Sequence, residues 1–169
     1  MLNTRRVIGS EHTKLDHIDH KILKHLQENA RITNAELAER VGLSPTPCLR
    51  RLRRLETEGI IKGYRTEINR EALGVNVTII ILVKLEREDD KTLREFETAI
   101  KDREEVMECY LVTGKFDYFI RVVVPSLATY ETFLSETMLR MPNIATVESS
   151  FTLREVARKI VTPLPQSII

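Results

Sequence analysis

Residues 33–45 hold three boundary signals in quick succession, and these constrain the fold more than any other feature of the sequence. Thr33 followed by Glu36 is a capping box, in which each side chain takes the other residue's backbone amide. Ile32 and Leu37 flank it as a hydrophobic staple. The helix started there turns Leu37, Ala38 and Val41 inward and stops at Gly42, which enters the left-handed region without the clash of a Cβ. Two residues later Ser44 caps a new helix, with Pro45 at its first position, where a fixed φ and a missing amide cost nothing. A helix of barely two turns is not stable alone, so it must pack on its neighbours. The pattern reads as a helix-turn-helix.

An earlier helix is marked by Leu15, Ile18, Ile22 and Leu26 on one face, with Asp16 as its cap, and runs over residues 16–28. In the helix after Ser44, Cys48, Leu49, Leu52 and Leu55 fall within about 120° of arc and form the buried stripe. The opposite arc is basic, with Pro47, Arg50 and Arg54 at its centre and Thr46, Arg51 and Arg53 on its flanks. Arginine suits DNA because its planar fork takes guanine O6 and N7 together, or clamps a phosphate, and stays charged. Ser44 and the free amides beside it can hold a phosphate. The expected DNA contacts are therefore Ser44, Thr46, Pro47, Arg50, Arg51, Arg53 and Arg54. Residues 60–65 read as a turn and then a strand, as in winged variants. Lys62 and Arg65 there either touch the DNA backbone or belong to a plain tie to the next domain.

Charge divides along the same line. Residues 1–65 carry 13 Lys/Arg against 8 Asp/Glu and residues 66–169 carry 13 against 17, so a net +1 hides a basic first half and an acidic second half. Such a split suits a first half that meets a polyanion. The longest apolar stretch, residues 77–83, is far short of the roughly 20 residues of a membrane span. The N-terminus has no signal-peptide pattern, and the two cysteines, Cys48 and Cys109, have neither metal-type spacing nor the density of a disulfide framework. A cytoplasmic protein is expected.

The second half alternates a β-branched run over residues 75–85, a helix over 91–101, strands over 106–112 and 118–124, a helix capped by Ser126, and a strand over 144–152. That helix bears Leu127, Tyr130, Leu134 and Met138. The order βαββαβ predicts a ferredoxin-like domain, making the whole chain α+β. With helices on one sheet face, the other face stays apolar and calls for a partner, most simply a second copy. The expected layout is a flexible arm over 1–14, the helix-turn-helix over 15–65, a linker over 66–75, the ferredoxin-like domain over 76–156 and a tail over 157–169.

The segment from Ser44 to Glu56, Ser-Pro-Thr-Pro-Cys-Leu-Arg-Arg-Leu-Arg-Arg-Leu-Glu, followed by Gly59-Ile60-Ile61 and Gly63-Tyr64, closely resembles the recognition segment of the leucine-responsive regulatory protein/AsnC (Lrp/AsnC) family. Residues 108–118, Glu-Cys-Tyr-Leu-Val-Thr-Gly-Lys-Phe-Asp-Tyr, resemble the same family's effector-domain hairpin, and the element order from Leu15 to Val156 agrees throughout. Asn69-Arg70 departs from the Asn-Pro frequent in that linker, which bears on hinge stiffness. The resemblance implies a DNA-binding transcriptional regulator with no enzyme activity and no cofactor. It further implies dimers that pair β-sheets and assemble into octamers or similar, and an amino acid bound between effector domains. Carried over by position, the effector site comprises Gly114 and Asp117, with Leu111, Leu127, Ser150 and Thr152 around them. Asp117 would accept from the α-ammonium and loop amides would bind the α-carboxylate; ordinary turn chemistry is the other reading of Gly114 and Asp117.

Other constellations carry less. His17 and His20 share a helical spacing but lack a third ligand, and Cys48 falls on the apolar stripe, where packing is its expected role. The sequence has no phosphate-binding glycine loop, nucleophile elbow or paired catalytic carboxylates, which argues against an amino-acid enzyme. A nucleoid-organising protein with weak sequence preference is the remaining alternative.

Overall fold

A computed structural model of the chain describes residues 15–159 and 161–164; the arm expected over residues 1–14 lies outside the described residues. The helical boundaries follow the capping chemistry. Asp16 caps α1 (His17–Glu28) in a reciprocal box with Asp19, and Thr33 caps α2 (Asn34–Val41) in a second box with Glu36. Gly42 ends α2 at φ 76°, the left-handed conformation its position requires. Ser44 occupies the cap of α3 (Pro45–Thr57), but its hydroxyl takes no amide. The two helix starts are tied instead by the Asn34 side chain, which donates from Nδ2 to the Pro45 carbonyl at 2.9 Å.

Ile22, Leu23, Leu37, Ala38, Val41, Cys48 and Leu55 form the core of this helical unit, with Leu49 and Leu52 less deeply placed. Each large aliphatic buried there stabilises the unit by about 1.5–3 kcal/mol relative to exposure. The expected strand after α3 is not formed: residues 62–69 have no regular structure, because no segment among the described residues pairs with their backbone. Tyr64 is nevertheless anchored, its hydroxyl donating to Glu56 at 2.8 Å. The chain belongs to this unit up to Glu67 and again from Ala157, while Ile68–Val156 forms a separate compact unit.

The second unit contains β1 (Val77–Leu85), α4 (Asp90–Ile100), β2 (Val106–Leu111), β3 (Tyr118–Val124), α5 (Leu127–Phe133) and β4 (Ile144–Phe151). Its sheet has the order β2-β3-β1-β4, antiparallel throughout, which is the ferredoxin-like arrangement. Strand alternation sends Ile79, Ile81, Val83 and Leu85 of β1 into a core with Phe96 and Ile100 of α4 and Tyr130 and Phe133 of α5. On the other face, Ile80 and Leu82 lie beside Phe119, whose ring is 6.2 Å from that of Tyr110. Beyond α5 the chain passes into a short π-helix, Leu134–Met138. Met138 is fully buried, whereas Leu127 is 53% exposed.

Candidate functional site

The basic surface of α3 divides into two pairs of arginines. Arg51 donates to Asp16 at 2.6 Å and to Asp19 at 3.0 Å, and Arg54 is paired with the other oxygen of Asp19. Asp19 is completely buried, so its charge is offset by these two guanidiniums and by the capping amide of Asp16. Burial works against ionisation of Asp16, but the Asp19 amide and the Arg51 guanidinium outweigh it and hold the Asp16 carboxyl below its usual range. The same two carboxylates hold the Arg51 guanidinium proton more tightly.

Arg54, expected at the centre of the groove-facing arc, is 41% exposed and also ties α3 to α1, a contact that Arg51 shares. Arg50 and Arg53 are exposed and have no hydrogen-bond or ion-pair partner among the described residues. Thr46 is also exposed, Pro47 is half-buried, and the Ser44 hydroxyl is uncommitted at the α3 N-terminus. Asp16 does more than the capping its position implies, and Asp19 joins it. Their i, i+3 spacing was visible, but the approach of α1 to α3 was not.

The effector positions fall into two groups. Leu111 pairs with Tyr118 at the start of β3, and Gly114 (φ 126°) lies in the loop that joins β2 to β3. Leu127 follows the far end of β3, and Thr152 lies near that end, its amide bonding to Thr78, whereas Ser150 on β4 sits opposite Ile80, level with the middle of β3. Leu111 and Leu127 are therefore separated by roughly the length of β3, about 20 Å, and Leu111 and Ser150 lie on opposite edge strands of the sheet, β2 and β4. One chain does not gather them into one pocket. Leu111, Leu127, Ser150 and Thr152 are all exposed.

Asp117 makes contacts within its own chain. It is buried, with Oδ1 accepting from Lys84 at 2.8 Å and Oδ2 accepting from the Leu85 amide at 2.7 Å. Each oxygen accepts one hydrogen bond, so the carboxylate ties the start of β3 to the end of β1. Asp117 and then Glu88 hold the proton on Lys84 more tightly than usual. Cys48 is fully buried, as its place on the apolar stripe implied, and burial pushes its thiol up.

Residues 15–62 match the family model described as winged helix-turn-helix DNA-binding, and residues 78–161 match the Lrp/AsnC ligand binding domain. The leucine-responsive regulatory protein of Escherichia coli strain K12 is 42% identical over 156 residues, covering 92% of this chain and 93% of that protein. Among solved structures, a transcriptional regulator from Neisseria meningitidis in complex with L-Met is similar, with TM-score 0.84, 35% identity, and 89% of this chain and 97% of that chain covered. The AsnC protein of E. coli superposes with TM-score 0.81 at 28% identity, over 89% of this chain and all of that one, 100%. The helix-turn-helix, the βαββαβ domain behind it and these likenesses lead to one conclusion: the chain belongs to the Lrp/AsnC family of transcriptional regulators.

Proposed function

We propose that this regulator reads DNA with the Arg50 and Arg53 face of α3 and responds to an apolar amino acid bound between two copies of its effector domain. The observation that carries the first part is the division of labour among the four arginines. Arg51 and Arg54 orient α3 against α1, leaving Arg50 and Arg53 unpaired on the outer surface of a helix with a preset direction. In this reading Arg50 contacts base edges, Thr46 and Pro47 touch the groove, and Ser44 with Arg53 holds phosphate. Dimers with two such helices read pseudo-palindromic sites.

The second part draws on the separation of the effector positions. Leu111 and Gly114 make one half of a site, and Leu127, Ser150 and Thr152 make another, so a second copy is needed to complete it. Apolar Leu111 and Leu127 suit an aliphatic side chain, and loop amides with the Ser150 and Thr152 hydroxyls suit its α-carboxylate and α-ammonium. The related regulators named leucine-responsive, or solved with L-Met, favour a ligand of that class. Assembly proceeds from dimers to octamers or similar, in the cytoplasm, on nucleoid DNA.

A thermal-shift screen of the amino acids tests this, because a ligand that binds only the folded state raises its melting temperature by mass action. An apolar amino acid should raise Tm and alter affinity for a specific operator. A flat screen, with equal affinity for specific and random DNA, would favour a nucleoid-organising role.

A further inference from the structure

The described part of the tail lies against the DNA-binding unit. Gln27 of α1 pairs with the backbone of Thr162 in both directions: its Nε2 donates to the Thr162 carbonyl at 3.3 Å, and its Oε1 accepts from the Thr162 amide at 2.5 Å. A side-chain amide here imitates a strand partner. Leu164 enters the apolar cluster of the helical unit beside Leu26, Ile60 and Ile61. Together these residues line a groove of about 500 Å³ between α1 and the segment after α3.

The sequence is suited to this docking. Pro163 follows Thr162 and Pro165 follows Leu164, and a residue before proline is confined to extended conformations. Little conformational entropy is therefore lost when the segment is held straight against the groove. The groove walls, Leu26, Ile60 and Ile61, would otherwise leave apolar surface open to water.

Connectivity gives the contact a consequence. The chain leaves the DNA-binding unit at Glu67, passes through the whole effector domain, and returns to it at Ala157. The DNA-binding unit is thus joined to the effector domain by two stretches of chain, the second fastened by Thr162 and Leu164. We propose that residues 161–164 are a latch on the groove of their own chain's DNA-binding unit, and that this second tie limits the orientations α3 can take. The latch then sets how sharply the protein discriminates between half-site spacings. This rests on binding as a dimer to paired half-sites and is independent of any effector.

The test compares the full-length protein with Gln27→Ala and Leu164→Glu on operators whose half-sites are spread by insertions of up to about half a helical turn. Gln27→Ala removes a surface hydrogen-bond pair and keeps the core, so it guards against misfolding in Leu164→Glu; thermal unfolding checks both. The wild type should lose affinity steeply with insertion, and both variants should flatten that loss by about 10-fold as the tether loosens. An unchanged spacing profile, or a loss equal at every spacing, would overturn the proposal. In a Cys109→Ser background, Ala30→Cys with Thr162→Cys should cross-link within one chain through a short bismaleimide. A cross-link exclusively between chains would also overturn it, assigning the groove to a second copy's tail.

Discussion

The completely buried carboxylate of Asp19 holds the guanidinium of Arg54, joining α1 of the DNA-binding unit to α3. Removing one partner of a buried ion pair leaves a charge without compensation, at about 3–5 kcal/mol when both are enclosed. Arg54 is 41% exposed, so solvent screens part of this cost. Asp19→Ala should destabilise the protein by about 2–3 kcal/mol in denaturant unfolding. Arg54→Ala should cost less, about 1–2 kcal/mol, because Arg51 still reaches Asp19. A change under a few tenths in Asp19→Ala would remove the anchoring role.

The same cluster has an acid limit. The folded-state value of Asp16 is lowered below its ordinary 3.8, so its contribution is present above that pH and is lost as pH falls through the lower folded value. Asp89 and Glu36 are lowered in the same direction by cap hydrogen bonds, from Thr92 and Thr33 respectively. Melting temperature should therefore be flat near neutrality and fall below about pH 4. Asp16→Asn should start lower at neutral pH and show a shallower acid decline; an identical slope would contradict the assignment.

Asp117 should behave as a structural residue. Its bond from the Leu85 amide is charge-assisted and buried, so Asp117→Ala should cost about 2–3 kcal/mol of stability. Asp117→Asn, which keeps an acceptor, should cost less and retain effector affinity within a few-fold, measured by calorimetry. Loss of effector binding in a fully folded Asp117→Asn would restore Asp117 to the ligand site.

The proposed effector site, completed by a second copy, makes a prediction about concentration. A site completed by a second copy exists only in the assembled protein, so effector affinity should weaken as the protein is diluted through its dimer dissociation range. Leu127→Asp should weaken effector binding without changing the melting of the isolated sheet core, since Leu127 is exposed. Affinity independent of protein concentration would place the whole site within one chain.

Local chemistry made much of this fold legible. The Thr33–Glu36 box, Gly42, Pro45 and the alternation of β1 each act through neighbours in the chain, and each appears in the structure as its pattern implies. Three features were not legible because they depend on distant partners. The Arg54 side chain turns toward Asp19, 35 residues away, and this outweighs its helical-wheel position. Asp117 finds Leu85 across the sheet, 32 residues away. The tail reaches Gln27 across 135 residues, where no periodicity could pair them. Helical phase sorted apolar from polar, but among four arginines on one face it could not tell which pair with α1.

The most direct measurement compares wild type, Arg50→Ala and Arg54→Ala for binding to a specific operator and to random DNA at several salt concentrations. Arg50→Ala should lose about 1–3 kcal/mol on the operator, lose far less on random DNA, and keep wild-type stability. Arg54→Ala should lower stability first, with any loss of binding following the fraction unfolded. If Arg50→Ala binds the operator like wild type, or if Arg54→Ala alone relaxes specificity while fully folded, the division of α3 into anchoring and reading arginines is wrong.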